Sequence, residues 1–553
     1  MQAMKAIRSV TLVVVLSLVL AECRHRRRRN EYPDPPPKTK GVPWPMPAQY
    51  STSPLVFHVD GLNFEFVATG KTCITLEEAF RRYYKIIFGN DNNSGTRWNR
   101  HDDDGDDDEV VVKNISVNVH ECEDVYPTPS SDESYELKLS STTQSLTSSS
   151  VWGALRGLET FSQIVYRNDV GAYIVNETTI SDSPRFGYRG IFIDTSLHYI
   201  PVFILLQNLD AMAYNKMNVF HWHITDDTSF PYVSKTFPSL SQQGAYSPYN
   251  HVYTQDDIRT VLEYARLRGI RVMMEFDMPG HSLAWRAIPD LLARCYDGST
   301  PTGQLGPMDP TLETTYTFLR EFFKEWTETF PDSYLHLGGD EVDMRCWENN
   351  PRIREFMEKM GYHDDYTRLQ QYFFNTVLEE LSILFPSRKT LVWQDTIDVN
   401  VKVPNTTIVE IWKDMDPGYR EELAKTTSLG YTTLLSACWY LNYITVNIST
   451  TIHWPDYYLC DPHDFDGTEA QKKLVIGGEA CMWTEFVDGT NVIPRLWPRA
   501  AAAAERLWSP QSIRDIEEAA PRIEEHRCRM LRRGIQAEPI NGPGFCEEEV
   551  TNH

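Results

Sequence analysis

The adjacent acids Asp340 and Glu341 are the strongest candidates for chemistry in this chain. They close the string HLGGDE at residues 336–341, in which an apolar strand runs into two glycines. Glycines there would let the backbone approach a ligand, with both acids facing the mouth of a cleft. Glycosidic cleavage needs one carboxylic acid to protonate the leaving oxygen and a negative group to support the cationic centre. Two acids in a loop can also be ordinary surface residues, and the pair alone leaves that alternative open.

Further acids and aromatic residues follow other strand-like runs and share one chemical character. Carboxylates accept hydrogen bonds from sugar hydroxyls, and aromatic faces cover the apolar side of a sugar ring. We therefore predict a site for a neutral, many-hydroxyl substrate, a glycan. The predicted members beyond the acid pair are Asp226, Asp277, His281, Trp393, Trp412, Tyr440, Asn442, Trp483 and Glu485. The alternatives are core packing for a lone tryptophan and a buried structural role for the histidine.

Composition and motif content exclude several other classes of function. The 553 residues carry 77 acidic and 53 basic side chains, for a formal net charge of -24. That charge repels nucleic acids and anionic membranes at neutral pH. The sequence has no cluster with metal-ligand spacing, no phosphate-binding loop and no nucleophilic Ser or Cys triad. We expect no metal, no cofactor and no nucleic-acid partner.

Eight short apolar runs alternate with helical patterns from residue 189 onward. The predicted strands are residues 189–194, 218–223, 270–276, 334–338, 390–394, 408–411, 434–437 and 475–478. This alternation predicts an α/β chain with a (β/α)8 TIM barrel, whose chemistry lies at the carboxyl ends of the strands. The mixed pattern before it predicts a smaller α+β domain at residues 42–184. The catalytic barrel and a disulfide-closed tail would occupy residues 185–553.

The amino terminus has the pattern of a secretory signal. Lys5 and Arg8 precede an apolar run at residues 10–20, which is too short to span a bilayer comfortably. We predict a signal at residues 1–23 and a basic, proline-rich lead-in at residues 24–41. Basic residues at 24–29 lie just beyond the apolar run, and this leaves a membrane anchor as the alternative.

Sequons and cysteines favour a lysosomal or secreted protein. Five N-x-S/T sequons occur, at Asn92, Asn114, Asn176, Asn405 and Asn447. Ten cysteines suit an oxidising compartment. With Cys23 in or near the signal, nine remain, so at least one should be unpaired.

Several longer motifs stand between the predicted strands and helices. They are GGDE at 338–341, HWH at 221–223 followed by Asp226 and Asp227, DMPGH at 277–281, GGEACMW at 477–483 and PRLWPR at 494–499. Together they resemble the lysosomal β-hexosaminidases of glycoside hydrolase family 20. The resemblance extends from VPWP at 42–45 to about Cys546. It implies a barrel enzyme that removes terminal N-acetylhexosamine (GlcNAc or GalNAc) residues with retention of configuration.

The resemblance also implies roles for individual residues. Glu341 matches the general acid/base, and Asp340 matches the residue that holds the substrate's 2-acetamido group. In this family the acetamido oxygen attacks the anomeric carbon in place of an enzyme nucleophile. Tyr440 would donate a hydrogen bond to that oxygen. The resemblance assigns Trp393, Trp412 and Trp483 to the pocket around the acetamido methyl, Asp226 and Glu485 to ring hydroxyls, and Asp277 with His281 to support of the acid/base.

The cysteines fit the same family pattern. It implies disulfides between Cys73 and Cys122, Cys295 and Cys346, and Cys528 and Cys546. Cys438 and Cys460 lack an obvious counterpart in the vertebrate pattern, and we predict that they form a fourth bridge. Cys481 would then be a free, buried thiol. The family also suggests a homodimer.

One position departs from the family pattern. The string DTSLHY at 194–199 has Leu197 where the family carries an arginine that binds substrate hydroxyls. Losing charge-assisted hydrogen bonds worth ~1.5 to 3 kcal/mol each predicts weakened or re-tuned hydrolysis. The alternative is a glycan-binding, lectin-like homologue without useful turnover. Tyr443 stands where one vertebrate subunit type has a basic residue, which argues against a preference for sulfated or sialylated glycans.

Overall fold

The computed structural model describes residues 38–89, 110–414, 418–443, 453–542 and 544–546. They form an amino-terminal sheet with two helices and a closed eight-stranded barrel surrounded by helices. The predicted signal, most of the lead-in and the sequons at Asn92 and Asn447 lie outside these residues. Within the described residues, no helix combines the length and the apolar character needed to cross a bilayer.

The amino-terminal sheet is covered on one face by two helices. Its strands are β1 (Gln49–Val59), β2 (Glu65–Ala68), β3 (Val111–Val112), β4 (Asn114–Glu121), β5 (Tyr135–Leu139), β6 (Gln144–Ser150), β7 (Tyr166–Arg167) and β8 (Tyr173–Asp182). Seven pair in the order β2-β4-β6-β5-β8-β1-β3, and β7 pairs with β8. Every second side chain of β5 is buried, as expected of a sheet with one covered face. The covering helices are α1 (Ile74–Phe88) and α2 (Val151–Ile164).

Eight parallel strands close the barrel. The remaining strands are β9 (Tyr188–Asp194), β10 (Val219–His223), β11 (Arg271–Glu275), β12 (Leu292–Asp297), β13 (Thr300–Met308), β14 (Tyr334–His336), β15 (Lys389–Trp393), β16 (Ile408–Ile411), β17 (Thr432–Leu435) and β18 (Val475–Met482). The barrel runs β10-β11-β14-β15-β16-β17-β18-β9, and β12 with β13 forms a separate antiparallel hairpin. The predicted α/β class and (β/α)8 barrel are confirmed, and each predicted strand overlaps one of these eight. The hairpin was not predicted, because the first residues of β13 are exposed and lack an apolar alternation.

Helices surround the barrel and connect its strands. They are α3 (Val202–Tyr214), α4 (Ser239–Gly244), α5 (Gln255–Arg266), α6 (Glu313–Thr329), α7 (Arg345–Asn349), α8 (Pro351–Lys359), α9 (Tyr366–Leu384), α10 (Asp395–Asp398), α11 (Tyr419–Ser428), α12 (Trp454–Leu459), α13 (Glu469–Lys472), α14 (Val492–Leu496), α15 (Arg499–Trp508) and α16 (Ile516–Arg532). Thr254 caps α5 and Asp257 completes a capping box, so this helix begins where the sequence predicts. Apolar sides of most of these helices pack on the strands in one continuous core, whereas α7 and α8 bury theirs in a separate, smaller cluster and α13 has no buried side chain.

A buried ion-pair network joins the amino-terminal domain to the first strands of the barrel. Glu133 accepts hydrogen bonds from Arg156 at 2.8 Å and from Arg189 at 2.7 and 2.8 Å. Arg156 also donates to the carbonyl oxygens of Arg268 and Gly269. All three charged side chains are buried. The two units therefore share a hydrogen-bonded interface in which each charge has an opposite partner.

The cysteines pair as the sequence predicts. The disulfides are Cys73–Cys122, Cys295–Cys346, Cys438–Cys460 and Cys528–Cys546, and Cys481 is a free, buried thiol. Cys295 lies on β12, so the Cys295–Cys346 disulfide links the β12–β13 hairpin to α7, the helix that follows β14. The fourth bridge joins α16 to the carboxyl-terminal tail.

Candidate active site

The predicted site residues follow the carboxyl ends of the barrel strands. Trp393 is the last residue of β15, Trp412 follows β16, and Trp483 follows β18. Asp277 lies two residues beyond β11, and Asp340 lies four residues beyond β14. Parallel strands that close a barrel bring all their carboxyl ends to one face.

His281 lies among the predicted carboxylates. Its Nδ1 is 3.4 Å from Asp226 Oδ1, and its Nε2 is 3.9 Å from Asp340 Oδ2 and 3.8 Å from Glu341 Oε2. Burial alone would lower the pKa of His281, but Asp226, Asp277 and Asp340 outweigh burial and raise it to about 11. A single imidazolium therefore faces the predicted hydroxyl-binding acid and both predicted catalytic acids.

The two glycines before the acid pair make room for Asp277 and for packing. The Gly339 N–H donates to Asp277 Oδ1 at 2.8 Å, and a Cβ at Gly338 would lie 1.8 Å from that oxygen. A Cβ at Gly339 would lie 2.7 Å from the Phe374 ring. Both glycines have positive φ, 66° and 99°. We expected these glycines to let the backbone approach a ligand, but they admit protein side chains instead.

Asp340 is held in an environment that favours its protonated form. Burial raises the pKa of Asp340 to about 6, with Glu275 adding to the rise and His281 opposing it. Burial and the neighbouring Asp340 charge also raise the pKa of Asp277 well above its usual value. Two carboxyl groups this close cannot both ionise freely. Raised carboxyl pKa values at the mouth of a barrel make both groups candidates for functional acids.

Glu341 differs from its neighbour in exposure. Its side chain is 62% exposed, against 11% for Asp340. Its backbone has φ 45°, uncommon for a residue with a Cβ, and its N–H donates to Asp395 Oδ1 at 3.4 Å. The strained turn directs one acid into the protein and leaves the next at the surface. Its exposure leaves the Glu341 carboxylate open to proton exchange with water, as a general acid/base needs.

Aromatic side chains cluster at the face of the barrel that carries these acids. Phe192, Trp393, Tyr440 and Cys481 are buried together, and Trp412 and Trp483 pack against them at the partly exposed side. We call this group the aromatic hollow. The sequence prediction that the three tryptophans and the tyrosine gather is therefore met in the geometry. Tyr443, 55% exposed, stacks on the Tyr440 ring at 5.8 Å between centroids.

A polar side of the site contains Asp226, Asn442 and Glu485. Burial raises the pKa of Glu485, and the charges of Asp194 and Asp226 raise it further, while a hydrogen bond with Asn442 opposes them. The Oδ1 of Asn442 is buried and has no hydrogen-bond partner. A buried acceptor without a donor is costly unless a ligand or water supplies one.

Leu197 lies next to this polar side. The carboxylate of Asp194 accepts the backbone N–H of Leu197 at 3.2 Å and that of Ser196 at 2.9 Å. Tyr246 donates its hydroxyl to the Leu197 carbonyl oxygen at 2.9 Å. The backbone at this position is thus fixed by Asp194, while the side chain offers no donor to Glu485 or Asp226.

Two residues in contact with the site, Asp395 and Glu275, are not predicted by the sequence pattern. Asp395 accepts the indole N–H of Trp412 at 2.7 Å and an ion pair from Lys413 at 2.9 Å. It lies two residues beyond β15, so the same rule that found the other acids applies to it. Glu275 accepts the indole N–H of Trp393 at 2.8 Å. It was hidden inside an apolar strand pattern.

Imidazoles and carboxylates also meet inside the barrel. Potential ligand atoms of His221, Glu275 and His336 lie within 4.8 Å of one another, as do those of Asp226, Asp227 and His281. In each group the imidazole already lies at ion-pair distance from a carboxylate. A metal ion would have to displace the protons that hold these pairs together.

The chain is similar to known hexosaminidases over most of its length. A model of the glycosyl hydrolase family 20 catalytic domain matches residues 186–511, and a model described as beta-acetyl hexosaminidase like matches residues 43–164. Human beta-hexosaminidase subunit beta is 48% identical over 515 residues, 92% of this chain and 90% of that protein. The alpha subunit of Bos taurus is 46% identical over 513 residues, 92% of this chain and 95% of that protein.

A solved structure gives the same assignment. The chitobiase of Flavobacterium johnsoniae superimposes with a TM-score of 0.75 at 30% sequence identity, covering 89% of this chain and 73% of that one. The family model covers more than half of the 553 residues, and the human relative is matched over nine tenths of its length. The chain therefore belongs to glycosyl hydrolase family 20.

Proposed function

We propose that this chain removes terminal, non-reducing N-acetylhexosamine residues from glycoconjugates or chito-oligosaccharides by a retaining, substrate-assisted mechanism. The enzyme class follows from the family: the chain is a β-N-acetylhexosaminidase. The proposal adds the residues: Glu341 as general acid/base, Asp340 at the acetamido group, and the aromatic hollow around the acetamido methyl. No cofactor takes part.

The first step forms a ring within the substrate. The acetamido oxygen attacks the anomeric carbon while the bond from that carbon to the leaving oxygen breaks. Glu341 gives its proton to the leaving oxygen, so the aglycone departs as an alcohol. Asp340 accepts the acetamido N–H, and its charge balances the cation that forms on the closed ring. Tyr440 donates to the acetamido oxygen and aligns it for attack.

The second step returns the enzyme to its starting state. The Glu341 carboxylate takes a proton from water, and the water oxygen attacks the anomeric carbon from the side that the aglycone left. The bond between the acetamido oxygen and that carbon breaks, and the amide is restored. Two inversions give net retention of configuration. Asp226, Asn442 and Glu485 would bind the ring hydroxyls during both steps.

The observation that carries the proposal is the contact set of His281. One cationic imidazole faces the carboxylates of Asp226, Asp340 and Glu341 within 3.4 to 3.9 Å. This geometry supports the proposal that the three acids, which have different proposed roles, act in one substrate pocket. Asp277, hydrogen-bonded to the Gly339 N–H, supports the turn that separates the two acids.

Hydrolysis of aryl N-acetylglucosaminides and N-acetylgalactosaminides at mildly acidic pH tests the proposal. Replacing Glu341 by Gln should lower kcat on either aryl substrate by ~10²- to 10⁴-fold, because the amide cannot donate the proton. Glu348→Gln, at another exposed glutamate nearby, is the matched control and should retain activity. An aryl glucoside without the acetamido group should not be cleaved.

Two results would count against the proposal. Undiminished turnover by the Glu341→Gln variant would show that another group donates the proton. Sugar binding without hydrolysis by the unmodified protein would favour the lectin-like alternative. The relative rates on the two aryl substrates also give the GlcNAc and GalNAc preference.

We further propose a lysosomal or secreted homodimer with a predicted domain boundary at residues 184/185. The sheet strand β8 ends at Asp182 and the barrel strand β9 begins at Tyr188, which supports that boundary. Asn114 and Asn405 are exposed and suited to carry glycans. The Asn176 amide nitrogen donates to the Ser53 carbonyl oxygen at 3.0 Å, and a glycan on this nitrogen would leave it one hydrogen with which to keep that bond.

A further inference from the structure

A ring of buried charged residues fills the barrel directly beneath the aromatic hollow. Its members are His221 on β10, Glu275 on β11, His336 on β14, Glu410 on β16 and Glu479 on β18. All five are fully buried. We call this group the interior ring. TIM-barrel interiors are usually filled by branched apolar side chains, so charges in this layer need a reason.

Glu275 is the member that the other charges hold most directly. Its Oε2 lies 2.9 Å from His221 Nε2, and its Oε1 lies 3.1 Å from His336 Nδ1. Burial alone would raise the pKa of Glu275, but His336 and His223 outweigh it and hold the pKa well below its usual value. Glu275 is thus a fixed negative charge with two imidazole partners.

Glu275 is also the ring member that bonds to a side chain of the hollow. The Trp393 indole N–H donates to its Oε1 at 2.8 Å. An indole has one donor and no acceptor, so this hydrogen bond fixes which edge of the Trp393 indole faces the interior of the barrel. The His336 ring supports the indole from below, with 4.8 Å between centroids.

The same tryptophan is tied to the strand that carries the acid pair. The backbone N–H of Trp393 donates to the Gly338 carbonyl oxygen at 3.0 Å, two residues before Asp340. His336, which pairs with Glu275, lies on that strand as well. A shift of Glu275 would therefore move the wall of the hollow relative to Asp340.

From these contacts we propose that Glu275 is a positioning residue: it fixes the Trp393 indole and so sets the width of the pocket for the acetamido group. The inference rests on the proposed function, in which the acetamido oxygen is the nucleophile. A wall that is loose by a fraction of an ångström would leave the nucleophile misaligned and would admit larger acyl groups.

Selectivity for the N-acyl chain length is the readout. The unmodified protein is assayed with aryl glucosaminides that carry N-acetyl, N-propionyl or N-butyryl groups. Each added methylene should lower kcat/KM by ~10- to 200-fold in a tightly walled pocket. In Glu275→Gln, the ratio of N-acetyl to N-propionyl kcat/KM should fall at least tenfold, with most of the loss in kcat for the N-acetyl substrate.

Glu479→Gln is the matched control. Glu479 is equally buried in the interior ring and bonds to His221 at 2.7 Å and to Tyr188 at 2.5 Å. Its replacement removes the same charge from the same ring but leaves both Glu275 oxygens in place, whereas Glu275→Gln leaves one acceptor oxygen for the Trp393 indole and the two imidazoles. N-acyl selectivity should stay close to that of the unmodified protein, even if stability falls.

Two further variants guard against a simple folding defect. Glu275→Asp keeps the buried charge but withdraws the carboxylate from the indole by one methylene, and it should also lose selectivity. Trp393→Phe removes the indole donor, and combining it with Glu275→Gln should add no further loss of selectivity. Additive losses in the double variant would overturn the proposal.

The outcomes distinguish failure of the positioning role of Glu275 from failure of the proposed hydrolytic function. No hydrolysis of any N-acyl substrate by the unmodified protein would reject the proposed function. Hydrolysis with wild-type acyl selectivity in both Glu275 variants would reject only the positioning role. Equal loss of selectivity in Glu275→Gln and Glu479→Gln would assign the effect to the ring's charge rather than to the Trp393 contact, and would also overturn the proposal.

Discussion

At the domain interface Glu133 is buried between Arg156 and Arg189, whereas at the opposite end of the barrel Asp277 and Asp340 are buried beside each other. Both arginines outweigh the burial of Glu133 and hold its pKa below the usual range. At the proposed catalytic end, burial raises the pKa values of Asp277 and Asp340, the charge of Asp340 adds to the rise at Asp277, and the charge of Glu275 adds to the rise at Asp340. Both regions bury carboxylates, but the interface pairs its carboxylate with two arginines, whereas the cationic His281 only partly offsets the burial of Asp277 and Asp340.

The difference separates charges that hold the fold from charges that serve chemistry. A paired buried carboxylate is costly to replace because its partners are left uncompensated. A carboxylate with a raised pKa is strained in the free protein and is relieved when a cationic transition state forms beside it. Replacing Asp340 should therefore change mainly the turnover, and replacing Glu133 should change mainly the free energy of unfolding.

Replacing Asp340 by Asn should lower turnover strongly while sparing the fold. The amide removes the charge that balances the cationic ring, and we expect kcat to fall by ~10²- to 10³-fold. The melting temperature should stay the same or rise, because repulsion with Asp277 disappears. A large drop in melting temperature would contradict the assignment of Asp340 to chemistry rather than to the fold.

Replacing Glu133 by Gln should have the opposite profile. Arg156 and Arg189 would lose their shared charge, and we expect a loss of about 3 kcal/mol in the free energy of unfolding. Activity per folded molecule should not change. The exposed pair of Lys40 with Asp169 offers a control, since Asp169→Asn should cost less than about 1 kcal/mol. Denaturant titration and a folded-fraction-corrected assay measure both quantities.

The interior ring predicts how stability depends on pH. Burial, with the charge of Glu479, raises the pKa of Glu410 to about 7. A raised carboxyl pKa means that the folded state binds the proton more tightly than the unfolded state does. Stability is then complete below the unfolded pKa near 4.5 and is lost as the pH rises through 7, on the order of 3 kcal/mol for this group.

The variant Glu410→Gln tests this sign. Its neutral amide should flatten the fall in melting temperature between pH 5 and pH 7.5. Glu133, whose pKa is lowered, should contribute the reverse dependence and lose stability only in stronger acid. An unchanged slope in Glu410→Gln would show that other groups dominate the neutral range.

Local pattern predicts the barrel, which is confirmed, and also the candidate site residues that follow its strands. Apolar runs give the strands, and reading past each strand gives Asp340, Trp412 and Trp483. It did not predict the interior ring. Glu275 stands in a run that is otherwise apolar, and its partners His221 and His336 lie on other strands. Only closure of the barrel brings them together, and no local spacing encodes that contact.

The contacts of Gly338 and Gly339 are likewise not encoded locally. The sequence predicts that two glycines are needed at this strand end, but it does not predict which side chains pack against them. The sequence cannot show that a neighbouring strand supplies Asp277 at the position where a Cβ would stand. The residue type therefore predicts an unusual backbone conformation at these glycines, while the tertiary fold determines that Asp277 and Phe374 occupy the space beside them.

Leu197→Arg would place an arginine beside the acids of the proposed active site, as Arg156 and Arg189 stand beside Glu133 at the domain interface. The backbone of Leu197 is held by Asp194, and burial together with Asp194 and Asp226 raises the pKa of Glu485. An arginine there should lower the pKa of Glu485 and supply donors to substrate hydroxyls, raising kcat/KM on an aryl N-acetylglucosaminide about tenfold. Leu197→Met, which keeps an apolar side chain of similar volume, is the control and should leave kcat/KM unchanged. Equal rates for all three proteins would mean that Asp226, Asn442 and Glu485 already bind the ring without a cation, and that Leu197 does not weaken this hydrolase.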